Sequence, residues 1–320
     1  MKTRWSTKTC WSMKSCWLPL VALLGLPSVA VADFRIYGKG NVSFQAVDES
    51  GERTSELVSN ASRLGVRGSE TLREGLEVIY QLEYEVQIDD GDKNDRTFNQ
   101  RDSYIGLRGR MGSLIAGKLN TPLKNIQDAV DLFNDLEGDL NYLFAGEVRA
   151  DNVVQYISPA YGRYFTSSVA YIAPEEDGLD PGVSAATTFQ YEDLYLAVGG
   201  DSGVQAPDAD LFRIAGRYSF AAVGLHVGAL YEFYDDGVIE EEGSLVSLLW
   251  EASEQWAFKL QGGTSDINHG GGEAVSVGVD YRLSPSTKLY GYYTNESRDL
   301  GCGVERCEDQ YLGAGLSVTF

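Results

Sequence analysis

His226 and His269 are the only histidines in the 320-residue chain. Neither has a serine or cysteine partner placed to act as a nucleophile, and no G-x-S-x-G elbow occurs. The acidic run Asp89–Asp95 resembles a calcium loop but lacks the full ligand ladder and the closing bidentate glutamate, so it reads as a solvated loop. Gly270–Gly272 has no strand–helix unit around it and reads as a loop tip, not a phosphate cradle. Cys302 and Cys307 flank a Gly-Val-Glu-Arg segment in a polar stretch. A local disulfide is expected there; a C-x4-C metal site is the runner-up, with no nearby histidine or further cysteine to complete it. The expectation is a protein that is not an enzyme and has no cofactor or metal centre.

The repeating pattern is the stronger signal. In Gln310–Phe320, Leu312, Ala314, Leu316, Val318 and Phe320 fall on one side of an extended chain. Tyr311, Gly313, Gly315, Ser317 and Thr319 fall on the other, so this is a strand with one apolar face. In Leu76–Ile88, leucine, valine, tyrosine and isoleucine alternate with Glu77, Gln81, Glu83, Glu85 and Gln87. Glutamate at nearly every second position cannot face a dry core unpaired. The same period recurs in Asp33–Val47, Val183–Tyr191, Leu211–Phe220, Val223–Tyr234, Trp256–Thr264, Val275–Leu283 and Lys288–Asn295.

Tight connections such as Tyr191-Glu-Asp and Leu283-Ser-Pro-Ser alternate with long acidic ones such as Gly200–Asp210 and Glu296–Asp309. That rhythm predicts an all-β transmembrane antiparallel barrel of about sixteen strands, with short periplasmic turns and long extracellular loops. Aromatics near strand ends, among them Trp256, Phe258, Tyr231, Tyr290, Tyr292 and Tyr293, suit a membrane girdle.

One connection breaks the rhythm. Thr121–Val148 is too long for a hairpin loop, and its apolar residues (Val130, Leu132, Phe133, Leu136, Leu140, Leu143, Phe144) argue against disorder. A short helix is expected near Gln127–Asn134, and the loop is expected to pack on the inner wall of the barrel.

The amino terminus has a basic region (Lys2, Arg4, Lys8, Lys14), an apolar core Trp17–Leu26 and the small-x-small triplet Ala30-Val31-Ala32. Residues 1–32 therefore read as a cleaved signal peptide and 33–320 as one barrel domain. The whole chain carries −21; without the four signal cations the balance is 22 − 47 = −25. Such acidity excludes nucleic acid as a partner and favours cations near the loops.

With these features in place, the chain resembles the general diffusion porins of the Gram-negative outer membrane. Ile36-Tyr-Gly-Lys-Gly40 is similar to the family's first-strand motif and Ser62–Glu70 to its second. Tyr104–Arg108, Arg149–Pro159 and the terminal Phe320 match as well. The resemblance implies a homotrimer whose third long loop folds inward to narrow the pore, with a field across it. The basic side would be Lys39, Arg63, Arg101 and Arg149, and the acidic side Asp128, Asp131, Asp135, Glu137 and Asp139. The loop lacks the Pro-Glu-Phe-Gly-Gly type segment of enterobacterial members. Implied partners are outer-membrane lipid and lipopolysaccharide (through divalent cations), the barrel-assembly machinery, which reads Phe320, and small hydrophilic solutes and ions. The expected function is passive diffusion with a mild cation preference. A substrate-specific channel on the same barrel is the alternative; a barrel enzyme and a secreted adhesin fit less well.

Overall fold

The computed structural model describes residues 33–90, 96–174, 180–268, 271–299 and 307–320. The expected signal peptide, His269 and Cys302 lie outside the described residues, as does most of Asp89–Asp95.

The strands are β1 (Asp33–Glu49), β2 (Glu52–Ser59), β3 (Arg63–Arg73), β4 (Leu76–Val86), β5 (Phe98–Gln100), β6 (Ser103–Gly109) and β7 (Gly112–Asn120). Then come β8 (Arg149–Ile157), β9 (Phe165–Ile172), β10 (Gly182–Tyr191), β11 (Leu194–Ser202), β12 (Asp210–Phe220) and β13 (Leu225–Asp235). The last are β14 (Glu240–Glu251), β15 (Trp256–Ser265), β16 (Gly272–Ser284), β17 (Thr287–Arg298) and β18 (Cys307–Thr319). Both β2 and β3 pair with β1, and both β5 and β6 pair with β4, so each couple is one broken barrel strand. The barrel therefore has 18 − 2 = 16 antiparallel strands. It closes where β1 pairs with β18, from Lys39↔Thr319 to Glu49↔Asp309. Phe320 extends the seam, exchanging backbone hydrogen bonds with Gly38 at 3.0 and 3.1 Å. Closure leaves no unpaired edge, the condition for β-structure in lipid.

Apolar and polar faces are inverted relative to a water-soluble fold. Phe34, Ile36, Phe44, Leu82, Ile105, Leu312 and Leu316 point outward and are exposed, while Asn41, Ser43, Gln45, Gln155, Ser247, Ser276 and Thr294 are buried inside. Trp256, Phe258, Tyr231 and Tyr293 lie on the outer face, as girdle residues would. Tyr290 and Tyr292 do not. They are buried inside the barrel, where the Tyr290 hydroxyl donates to Asn41 Oδ1 at 2.8 Å and that of Tyr292 to Gln45. They alternate with Leu289, Gly291 and Tyr293, so period two alone assigns them to the opposite face from Tyr293.

Three irregularities sit on one sector of the wall. Between Val42↔Ser59 and Lys39↔Arg63, β1 spends two residues and its partner three (Asn60, Ala61, Ser62), with Ala61 at φ 48°. Between Tyr84↔Gln100 and Gln81↔Tyr104, β4 again spends two and its partner three (Arg101, Asp102, Ser103). Between Gly117↔Val153 and Leu119↔Ala150, β7 spends one and β8 two, with Asn152 at φ 56°. Each is a bulge, and a bulge re-aims side chains that strict alternation would place elsewhere.

Candidate functional site

The long connection between β7 and β8 lies along the inner wall. It starts with a four-residue helix, α1 (Pro122–Asn125), capped by Thr121, whose Oγ1 accepts from Lys124 N at 3.1 Å. Proline at the first position suits that start. The helix expected near Gln127–Asn134 does not form. That stretch gives its backbone to the wall instead: Leu132 N donates to Gln261 Oε1 at 2.7 Å, and Leu132 O accepts from Lys259 Nζ at 3.2 Å. Ile126 packs on Ala186 and Ala197 of β10 and β11. Val130, Leu140, Leu143 and Phe144 pack on Ala215, Leu230, Leu245 and Ala274 of β12, β13, β14 and β16. Phe133 packs on Val47, Tyr290, Tyr292 and Tyr311 and lies 4.7 Å beneath the Lys259 ammonium. Glycines in the wall make room: a Cβ on Gly243, Gly263 or Gly228 would meet Phe144, Leu143 or Val130 respectively. The loop therefore covers the wall from β10 to β18 and leaves the channel along β1 to β8.

Arg213 of β12 ties both ends of the loop to the wall. It is fully buried, and Nε donates to Glu232 Oε2 at 2.6 Å. Nη1 donates to Gln127 Oε1 at 2.6 Å and to Glu147 Oε1 at 3.0 Å. Glu232 Oε1 in turn accepts from Ala145 N at 2.8 Å and Gly146 N at 3.3 Å. The inward face of β12 contained this arginine in plain view, but period two says only that it points inward, not that a loop meets it.

The remaining opening, about 600 Å³, is lined by Glu83, Glu85, Asp102, Asp128, Asp135, Glu137 and Asp139. The cations lining it are Arg63, Arg101, Lys124 and Arg149. Asp135 is held at φ 68°, and its carboxylate crosses to Lys39 at 2.9 Å and Arg63 at 3.4 Å. Arg101 is paired with Glu83 at 2.8 Å and Glu85 at 3.3 Å, and Arg149 with Asp102 at 2.7 Å. Thus all four expected basic residues reach this region, but two of them are neutralised by acids of their own wall. Those acids were not expected: the bulges bring Asp102 alongside Arg101 and Arg149. Asp128, Asp135, Glu137 and Asp139 face the opening. Asp131 does not. It is buried against the wall, its Oδ1 accepting from Phe133 N and Gln261 Nε2, both at 3.0 Å, because the apolar residues Val130 and Phe133 beside it are drawn onto β12 to β18.

Burial, and then the charge of Asp139, raise the Asp131 carboxyl to about 8; burial raises Asp139 to about 6. Burial also pushes up Asp128 and Glu137, while for Asp135 the attraction of Lys39 and Arg63 outweighs burial and holds it down. A released loop would titrate near the ordinary aspartate value of about 3.9. The docked loop therefore binds more protons between about pH 4 and about 8, and docking weakens as pH rises through that window. Protease cleavage within 121–148 is expected to increase steadily from mildly acidic to alkaline pH, with Asp131→Asn flattening the profile. A cleavage rate that falls with rising pH would contradict the assignment. Asp135 loses its charge only below the window and does not reverse the sign.

His226 sits apart, at the turn end, with Nδ1 2.8 Å from Ser219 Oγ and Nε2 3.4 Å from Glu251. Cys307 is disulfide-bonded; its expected partner Cys302 lies outside the described residues. Among the described residues no group of three metal-ligating side chains converges.

Comparison with known proteins agrees with this architecture. The Gram-negative porin family profile matches residues 20–300. The major outer membrane protein P.IB of Neisseria gonorrhoeae is 26% identical over 294 residues, covering 85% of this chain and 80% of its own. The anion-selective porin of Comamonas acidovorans superposes with a TM-score of 0.76 at 18% identity, over 90% of this chain and all of that one. The trimer form of OmpT from Vibrio cholerae does so with a TM-score of 0.67 at 16% identity, over 90% of this chain and 99% of that one. A closed sixteen-stranded barrel, apolar outside and polar within, matched along most of its length by that profile, belongs to the Gram-negative porin family: it is an outer-membrane channel for passive diffusion.

Proposed function

We propose that the opening between the inward loop and the wall of β1 to β8 is the constriction, and that it passes cations more readily than anions. The observation that carries this is the charge count. Five cations, the four lining ones and Lys39, face seven carboxylates, leaving 5 − 7 = −2. Fixed charge at a narrow point in a low-dielectric wall sets which ions accumulate there. The long acidic loops at the same end add to it. Selection at this point is by radius and charge, so the protein transports without chemistry and is not an enzyme; the one hydroxyl–imidazole contact among the described residues, Ser219 with His226, lies at the turn end, away from this opening.

The remaining expectations belong to the same picture. The chain is exported by cleavage after Ala32, leaving the single domain 33–320. It assembles as a homotrimer, which the trimer form of the OmpT relative supports. Cys302 and Cys307 staple the last long loop, and acidic loops bind divalent cations shared with lipopolysaccharide. Reconstitution in planar bilayers under a salt gradient tests the central claim. The reversal potential is expected to favour the cation at neutral to mildly alkaline pH. A potential favouring the anion would overturn the charge assignment, and no conductance from folded barrels would overturn the constriction as a whole.

A further inference from the structure

On the turn side of the constriction, the wall carries two arginines that the permeation path does not need. Arg35 of β1 and Arg67 of β3 are exposed to the lumen and stand directly opposite each other in register. Like charges so placed destabilise a sheet. Unlike Arg63, Arg101, Arg149 and Arg213, neither has a carboxylate within ion-pair distance among the described residues. The Arg67 guanidinium lies 5.0 Å over the Tyr37 ring, which keeps its flat face in place.

The same row then turns apolar. Arg67 is opposite Gln81, Gln81 opposite Tyr104, Tyr104 opposite Gly117, and Gly117 opposite Val153. Ile115, Val153 and Ala170 are buried together, with Ile79, Tyr104 and Ile172 packed against them. An inward apolar patch departs from the polar interior that barrels of this size otherwise keep. Arg35, Arg67, Ile79, Gln81, Tyr104 and Arg108 line one cavity of about 570 Å³ that also takes in the acidic Asp33, leaving the cations in excess; Arg108 is already paired with Glu77 at 2.7 Å.

We propose that this cavity binds small organic anions with a flat apolar body, an aromatic monocarboxylate being the simplest. The carboxylate engages Arg35 and Arg67, whose planar donors suit it, and the ring rests on Tyr104 and Ile79. An inorganic anion would leave the apolar patch without a role, and a neutral aromatic would leave two unpaired arginines facing each other. Of the inward apolar patch, Ile79 and Tyr104 line the cavity, whose wall is otherwise mainly polar, so one apolar face stands beside convergent cationic donors. The acidic constriction lies between this cavity and the loop end, so entry is favoured from the turn side.

Benzoate is the probe, with acetate and benzyl alcohol as controls, on the full-length protein in planar bilayers. Benzoate on the turn side is expected to lower potassium chloride conductance saturably, at concentrations about tenfold below those of acetate, since the ring adds buried apolar contact. Arg35→Gln with Arg67→Gln raises the benzoate concentration required by tenfold or more, as loss of charge-assisted hydrogen bonds predicts. Both side chains are exposed, so the barrel still folds and conducts. Tyr104→Ser weakens benzoate and leaves acetate unchanged. Equal potency of acetate and benzoate, or of benzyl alcohol and benzoate, overturns the proposal. So does an unaltered benzoate response in the double variant, a conducting channel with no saturable response, or a sample that does not conduct at all.

Discussion

Arg213→Met is expected to release the inward loop while the barrel stays folded, giving larger and noisier single-channel currents. The substitution leaves Glu232 and Glu147 facing each other without their shared cation, in a place where Arg213 and Glu232 are both fully buried. Breaking a buried ion pair by removing one partner costs about 3–5 kcal/mol, because the remaining charge is uncompensated. That cost falls on the weaker structure. The wall is a closed ladder of backbone hydrogen bonds, whereas the two ends of the loop are tied to it here through Glu232 to Ala145 and Gly146 and through Arg213 to Gln127 and Glu147. If the loop leaves, both glutamates regain water and the penalty is relieved without opening a strand. Protease cleavage within 121–148 should rise sharply while strand content by circular dichroism and the barrel's thermal transition hold. Arg213→Lys should fall between, since one ammonium cannot reproduce the guanidinium fork that serves three partners. Unchanged cleavage and unchanged conductance in Arg213→Met would show that the apolar contacts of Val130, Phe133 and Leu143, with the polar ties of Leu132 and Asp135, hold the loop without Arg213.

The barrel was legible in the sequence because its rule is local. Leu76–Ile88 and Gln310–Phe320 each declare an apolar and a polar side within about ten residues, and repetition of that pattern with alternating turn lengths leaves few architectures. The site was half legible. Lys39 sits on an unbroken stretch of β1, so alternation alone aims it inward, and its meeting with Asp135 required only that the loop come in. Arg101 and Asp102 are neighbours in sequence and both reach the opening, which period two forbids; only the extra residue opposite β4 permits it. Asp131 failed for the opposite reason. Its spacing from Asp128 and Asp135 is unremarkable, and what turned it away is the apolar grip on Val130 and Phe133, a contact with strands more than 80 residues away in the chain. Arg213, on one of the clearest strands, was visible as an inward cation but not as the loop's anchor, since its partners Gln127 and Glu147 lie 86 and 66 residues away.

The wall acids beside the arginines, more than those of the loop, should decide which ion the channel favours. Glu83→Gln, Glu85→Gln and Asp102→Asn together change the count at the opening from 5 − 7 = −2 to 5 − 4 = +1. The substitutions are close to isosteric, and the amide oxygens still accept from Arg101 and Arg149, so both guanidinium groups stay where they are. What changes is that their charge is no longer cancelled at contact distance, where a single pair near a protein surface is worth roughly 4 kcal/mol. The reversal potential in a potassium chloride gradient is therefore expected to change sign, with the cation-to-anion permeability ratio shifting about tenfold or more. Arg101→Gln with Arg149→Gln should move it the other way and deepen cation preference. Ionic strength separates this local effect from that of the acidic loops. The loops act through open solvent and fade once the Debye length falls to about 8–10 Å near physiological salt, whereas charges at contact on the wall of the opening are screened far less. A triple variant that keeps the parent's reversal potential at high salt would place ion selection somewhere other than this opening.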